Sequence, residues 1–289
     1  MAANTRDIRR RIKSVKNTSQ ITKAMQMVAA AKMRKAQLAA LAGRPYAELM
    51  NRMLAAIGHD DAESVPHSLL LQRPVHRELV IVVSTDKGLC GALNTNLLRE
   101  IGQFSDNTDF VACGRKGLQF LVRNKRKVLA DFALPDAPSN LDTKPAAKFA
   151  MEKFLSGDYD KVSVLYTDFV NTLTQKPRIV QIIPVGTLKA EVPIGEPTVD
   201  DLGGIEYQFE PDAQQVLEAI LPHYVQFQFF QMVLDARASE HSSRMVAMKN
   251  ATDNAKQLIK DLTLEYNKIR QASITTEILE IASAQIALG

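Results

Sequence analysis

Residues 223–288 read HYVQFQFFQMVLDARASEHSSRMVAMKNATDNAKQLIKDLTLEYNKIRQASITTEILEIASAQIAL, sixty-six positions without a glycine or a proline. Gly and Pro are the strongest local breakers of regular structure. Helices in globular proteins average about 11–12 residues, so this run predicts one continuous helix, roughly 100 Å long at the helical rise. The other end of the chain behaves alike. Its first breakers are Gly43 and Pro45, and the residues before them are rich in Ala, Met, Gln, Lys and Arg, all good helix formers. From Gly58 to Pro222 breakers recur throughout.

Both terminal segments carry a 4-3 spacing of apolar and small residues. In the first it runs through Ile8, Ile12, Val15, Ser19, Thr22, Gln26, Ala29, Met33, Ala36 and Ala40. In the second we place it on Ala251, Ala255, Leu258, Leu262, Glu265, Ile269 and Ala272. Such spacing is the seam of a coiled coil. The seams are rich in Ala, Ser and Thr, which allow close approach but bury little area, so the pair stabilises itself weakly.

The middle has a different rhythm. ELVIVVST at 78–85 is a β-branched run expected to be a buried strand. Further strands are expected at Phe110–Cys113, Val128–Phe132, Val162–Phe169 and Ile179–Val185. Helical patterns fall between them at Thr95–Phe104, Lys116–Arg123 and Ala146–Leu155. Strands alternating with helices imply βαβ units and a mostly parallel sheet. The Gly- and Pro-rich stretch 186–204 reads as an irregular connection. The expected fold is thus a long antiparallel coiled coil of the N- and C-terminal helices with an inserted Rossmann-like α/β domain. Its parts are residues 1–58, 75–204 and 211–288.

Composition narrows the function. Charged residues make up 24% of the chain and no run of 18 apolar residues occurs, so no membrane-spanning helix is expected. Two cysteines, Cys90 and Cys113, suit a reducing compartment and cannot form a cysteine-based zinc site. The net charge of +4 conceals an asymmetry: residues 1–47 hold eleven Lys and Arg against one acid, Asp7. That basic end calls for an acidic partner: a protein surface, an anionic lipid or a nucleic acid. It has no aromatic before Tyr46, which argues against nucleic acid.

No catalytic grouping is visible. Ser84–Gly91, STDKGLCG, follows the first strand, where a phosphate-binding turn would lie. It matches neither G-x-G-x-x-G nor G-x-x-x-x-G-K-[ST], because Lys87 precedes Gly88. It is therefore read as a tight structural turn, and Cys90 as a packed thiol. The five histidines show no spacing with Asp or Glu that suggests a metal site. No cofactor is expected. The tail has one further property. After Arg270 there is no positive charge, and Ile274, Ile278, Leu279, Ile281, Ile286 and Leu288 point round much of the helix. A helix apolar on most sides must be enclosed.

Four stretches carry a family resemblance. DIRRRIKSVKNT at 7–18 with ITKAMQMVAAAKMRKAQ at 21–37, STDKGLCGALNTNL at 84–97, ASEHSSRMVAMKNATDNA at 238–255 and YNKIRQASITTEILEI at 266–281 closely resemble the γ subunits of bacterial F-type ATP synthases. The resemblance spans essentially the whole chain, in order. It implies a non-catalytic central-stalk rotor subunit, seated as a peripheral protein on the cytoplasmic side of the cell inner membrane. It would couple hydrogen ion transport through the membrane sector to ATP synthesis or hydrolysis. The implied partners are three α and three β subunits, the ε subunit and the ring of c subunits, with no nucleic acid.

The resemblance also implies roles for particular residues. Lys23, Met25, Arg244, Arg270, Gln271, Thr275 and Glu277 match positions that face the αβ ring. Tyr207, Phe209 and Glu210 match the foot segment that meets the c ring and ε. Ile278, Ile281, Ile286 and Leu288 would form a tip held in a hydrophobic sleeve. Two other readings stand beside this one. A nucleotide-dependent enzyme would need a phosphate loop, and a nucleic-acid-binding coiled coil would bind any duplex with steep salt dependence.

Overall fold

The computed structural model describes residues 2–61, 68–185, 210 and 213–288. Two helices bracket the chain: α1 (Ala2–Asp61) and, at the other end, α5 (Ala213–Leu288). Between them come β1 (Glu78–Val83), α2 (Leu93–Arg99), β2 (Thr108–Cys113), α3 (Arg115–Arg123), β3 (Val128–Phe132), α4 (Asn140–Leu155), β4 (Lys161–Phe169) and β5 (Gln175–Ile183). A 3₁₀ turn, Glu100–Gln103, extends α2. The chain divides into two compact units, residues 1–31 with 244–289, and residues 32–243.

The larger unit is an α/β sandwich around a five-stranded sheet of order β3-β2-β1-β4-β5. The first four strands are parallel and β5 runs antiparallel beside β4. Alternation along β1 sorts its side chains onto two faces. Leu79, Ile81 and Val83 join a core with Ala146, Ala150 and Phe154 of α4 and with Leu221, Val225, Phe229 and Val233 of α5. Val80 and Val82 join Leu97 of α2, Ile101 and Leu121 of α3 on the other face. The C-terminal helix is therefore one of the two layers that cover the sheet.

Internal proline and glycine end neither long helix. α1 continues through Gly43 and Pro45, and α5 begins nine residues before Pro222 and passes through it. Proline removes one helical hydrogen bond, but here the buried residues Leu217, Leu221 and Val225 flank it, and their packing holds the helix together. α4 likewise begins at Asn140, ahead of the expected Ala146. Asp142 accepts the backbone N–H and the hydroxyl of Ser139 at 2.8 and 2.6 Å, a capping arrangement that starts the helix before Pro145. β5 starts earlier than expected, at Gln175. Its Pro177 is tolerated because β5 is an edge strand.

In the smaller unit the two terminal helices pair antiparallel. Thr22 meets Thr252, and Arg9 meets Tyr266 through a hydrogen bond and a stacked guanidinium 5.4 Å from the ring centre. On α1 the seam lies where the spacing put it. Ile8, Thr22 and Ala29 are buried, and Ile12, Val15, Ser19, Gln26 and Met33 are half-buried. On α5 the expected phase needs correction. Ala255, Leu262 and Ile269 belong to the seam, but Leu258, Glu265 and Ala272 are exposed. The seam row is Met248, Thr252, Ala255 and Leu262, which are buried, with Ile259, Tyr266 and Ile269, which are half-buried. The expected and observed rows share Ala255, Leu262 and Ile269; between them Ile259 and Tyr266 are covered where Leu258 and Glu265 were expected.

At the start of the strands the buried carboxylate of Asp109 accepts hydrogen bonds from Lys127 Nζ at 2.8 Å, Arg77 Nη2 at 3.2 Å and the Tyr159 hydroxyl. Burial disfavours the ionised carboxylate, but the bonds from Lys127, Tyr159 and Arg77 outweigh it and hold the group below the usual carboxylate range. The ionised form therefore stabilises the fold above the unfolded pKa of about 3.9. That stability is lost as pH falls through the lower native value. Asp109→Asn should destabilise the protein near neutral pH, and the difference from wild type should shrink below about pH 4. Urea midpoints of both proteins across a pH series measure it.

Candidate functional site

In an open parallel sheet, ligands bind beyond the carboxyl ends of the strands at the point where strand order reverses. Here that point lies between β1 and β4. It is filled by α5. Val83, Ser84 and Thr85 at the end of β1, Leu93 of α2 and Thr167 of β4 face Ala236, Arg237 and Glu240. About 10 Å³ of space remains among them, room for no more than a water molecule.

The inserted segment is polar and tightly bound. The Arg237 side chain is 5% exposed, as is that of Glu240. Arg237 Nη1 donates to Glu240 Oε2 at 2.7 Å and Nη2 donates to the Leu134 carbonyl at 2.8 Å. Asp86 Oδ2 lies 3.8 Å from the same guanidinium. The next turn of α5 holds two loops. Ser243 Oγ donates to the Cys90 carbonyl at 2.7 Å, and Ser242 Oγ to the Thr172 carbonyl at 2.8 Å.

The Ser84–Gly91 turn spends its polar groups on its own structure. Ser84 Oγ accepts the Gly117 N–H at 2.7 Å and donates to the Gly114 carbonyl. Thr85 Oγ1 donates to the Lys87 carbonyl at 2.7 Å, and Asp86 Oδ1 accepts the Arg115 N–H at 3.0 Å. Gly114 is required here. Its φ is +116°, and a Cβ would stand 2.2 Å from the Ser84 carbonyl oxygen. Cys90 and Cys113 are both buried free thiols. Asn94 Nδ2 donates to Cys90 Sγ at 3.3 Å. Burial pushes the Cys113 thiol up to about 12, which keeps it protonated and unreactive. Among the described residues no group of His, Cys, Asp and Glu is placed to hold a metal ion.

The residues singled out by resemblance fall into two sets. Lys23 is exposed and Met25 half-buried beside the α1 seam; Arg244 is half-buried on α5, and Arg270, Gln271, Thr275 and Glu277 are exposed on it. Thr275 Oγ1 donates to the Gln271 carbonyl and Ser273 Oγ to Glu277. The pairing of Thr22 with Thr252 and Arg9 with Tyr266 sets the first residues of α1 level with about residue 272. Among the described residues α5 then runs past α1 for about sixteen residues, roughly 24 Å at the helical rise. On that overhang Ile278 and Ile281 are 60% and 68% exposed. Ile286 and Leu288 stand in its last turns, beyond the side chains described. Glu210 is exposed. Tyr207 and Phe209 lie outside the described residues.

The sequence reading missed Arg237, Glu240, Ser242 and Ser243. Their one signal was a cluster of small and charged residues interrupting the apolar turns of a buried helix.

The fold defines a class: a two-helix antiparallel coil made from the chain's own ends, carrying an inserted Rossmann-like sheet whose ligand crevice is closed by the C-terminal helix. The chain belongs to the ATP synthase family, whose model matches residues 4–288. It is 50% identical to the ATP synthase gamma chain of Opitutus terrae, with 99% of each chain covered. It is 44% identical to that of Dehalococcoides mccartyi, covering 99% of this chain and all of the relative. In fold it is similar to a chain of the Euglena gracilis mitochondrial ATP synthase OSCP/F1/c-ring structure. That match has a TM-score of 0.70 at 19% identity and covers all of this chain and 95% of the other.

The plug makes a stability prediction. Arg237→Leu leaves the Glu240 carboxylate buried without its counter-charge and should cost about 3–5 kcal/mol. Arg237→Leu with Glu240→Leu removes both charges and should recover most of the loss. Urea unfolding of the two variants and wild type decides it.

Proposed function

We propose that the chain is the central-stalk rotor subunit of a bacterial F-type ATP synthase, and that it is not itself a catalyst. In this role it sits within a ring of three α and three β subunits, where ATP chemistry occurs. Its other partners are ε and the c ring, which hold it at the cytoplasmic face of the inner membrane. The observation that carries the reading is the bare, cation-free apolar end of α5. A lone apolar helix end needs an enclosing partner, and a ring closed around it meets that need. Family membership along the full chain agrees. The filled crevice supports a non-catalytic role, because the place where this kind of sheet holds a nucleotide contains Arg237 and Glu240 instead.

Coupling then follows from differential contact. Each orientation of the rotor favours different conformations of the surrounding subunits, and a ligand or partner shifts an equilibrium only by its difference in affinity for the two states. The exposed polar row of Arg270, Gln271, Thr275 and Glu277 offers angle-dependent hydrogen bonds. The basic face around Lys23 suits acidic segments of β. Glu210, with Tyr207 and Phe209, is assigned to the c ring and ε.

Purification of the tagged chain from its native membranes tests the assignment. Stoichiometric α, β, ε and c subunits are expected. A chain recovered alone and turning over ATP by itself overturns it. Met25→Lys should introduce a charge able to pair with a β carboxylate, an extra contact of about 0.2–1 kcal/mol where exposed. ATP-driven pumping in membrane vesicles should fall relative to ATP hydrolysis. Unchanged coupling returns Met25 to seam packing. Deleting residues 283–289 should weaken assembly while the complexes that form stay coupled. Amide exchange of residues 274–282 should be fast in the free chain and slow in the complex, and equal protection in both discards the sleeve.

A further inference from the structure

We propose that the hydroxyls of Thr22 and Thr252 lock the axial register of the helical pair, making these two threonines positioning residues for everything the coil presents to a partner. The lock itself stands on the geometry of the coil. Only its consequence for coupling rests on the rotor reading.

The apolar pattern of this coil does not define a register by itself. With Thr22 level with Thr252, the seams match as Ile12 with Leu262, Val15 with Ile259, Ser19 with Ala255 and Gln26 with Met248. A shift of one heptad sets Thr22 level with Ile259 or Met245 and still leaves apolar or small residues along both seams. Small side chains interdigitate shallowly, so the packing of this seam by itself resists smaller slides and rotations only weakly. In coiled coils such degeneracy is resolved by a polar residue at a seam position.

Thr22 and Thr252 have that position and that chemistry. They are 9% and 3% exposed, and their Oγ1 atoms stand 2.7 Å apart across the pair. Thr252 Oγ1 also lies 2.8 Å from the Met248 carbonyl, and Thr22 Oγ1 3.1 Å from the Ser19 carbonyl. Two hydroxyl protons cannot serve three short contacts. The two shortest form a relay: Thr22 donates to Thr252, and Thr252 donates to Met248. The crossing bond forms in one register only.

The third contact gives the lock an unusual property. When the registers part, Thr22 turns its proton to Ser19 and Thr252 keeps Met248, so neither hydroxyl is left buried and unpaired. Parting the registers therefore forfeits the crossing bond alone, and that loss is what favours the native register; valine at both positions removes the preference with little change in stability. Arg9 and Tyr266 form a second crossing contact in the same register, thirteen and fourteen residues away along the two helices. It is exposed, so water competes with it.

The test uses the full chain with spin labels at Arg10→Cys and Lys249→Cys. Both sites are exposed and are offset along the axis, so sliding changes their separation directly, while the native cysteines are buried. The parent should give one narrow distance distribution. Thr22→Val with Thr252→Val should lose that single narrow peak while helix content and melting temperature hold. Thr22→Ser with Thr252→Ser keeps both hydroxyls and should restore it. A valine pair as narrow as the parent, a serine pair as broad as the valine pair, or a valine pair that fails to fold each overturns the lock. In the assembled complex the valine pair should pump fewer ions per ATP than the serine pair. Equal pumping alongside a broadened distribution leaves the lock standing and removes its role in coupling. Absence of assembly altogether, with the distribution still responding, counts against the rotor reading alone.

Discussion

The buried ion pair of Arg237 and Glu240 is the constraint on which the larger unit is built. Two charges taken out of water cost several kcal/mol each unless geometry and hydrogen bonds compensate. Here the guanidinium reaches a carboxylate, a main-chain carbonyl and the edge of Asp86. Those partners come from three separate parts of the fold: α5 itself, the loop after β3 and the turn after β1. The guanidinium reaches the Leu134 carbonyl and Asp86 only when α5 occupies the crevice at the sheet's switch point. The helix is thereby fixed in rotation and in height, which places Ser242 and Ser243 against the two neighbouring loops.

The coil is stabilised on different terms. Its seam combines a few buried aliphatic residues with Ala, Ser and Thr, and the area each contributes is small. Burial of a large aliphatic side chain is worth about 1.5–3 kcal/mol, and an alanine contributes far less. The free energy that holds the pair is therefore spread thinly, and specificity passes to the hydroxyl relay and to Arg9 on Tyr266. This is the reverse of the α/β unit, where Phe110, Phe154 and Phe229 are fully buried and packing supplies the specificity.

Much of this was legible because each signal was local. A β-branched run such as LVIVV has few alternatives to a buried strand, and α3 and β3 fell within a residue of where they were expected. What could not be read depended on partners distant in sequence. Leu258 and Thr252 were equally admissible seam members on spacing, and the outcome turned on a hydroxyl 230 positions away. Arg237 and Glu240 stand at i, i+3, and nothing local announces that a crevice will close over them. Pro45 and Pro222 stand inside the two long helices, because the cost of a proline is local and fixed, whereas the packing that offsets it is tertiary. For the candidate site, the polar row on α5 came from resemblance, and its exposure on the free chain fits a surface that meets another protein.

The two kinds of surface at the far end of α5 have different angular consequences. Ile274, Ile278, Leu279 and Ile281 are all exposed on α5. Enclosure would cover this apolar surface and stabilise it. That gain is non-directional and roughly proportional to area, hence nearly the same at every angle of rotation. Hydrogen bonds to Arg270, Gln271 and Glu277 depend steeply on geometry and so vary with angle. In the rotor reading the apolar end can bear load without resisting rotation, and the torque-dependent energies must arise in the polar row below it. The rigidity needed to transmit those energies then depends on the register of the pair beneath, which the crossing bond between Thr22 and Thr252 favours over its neighbours.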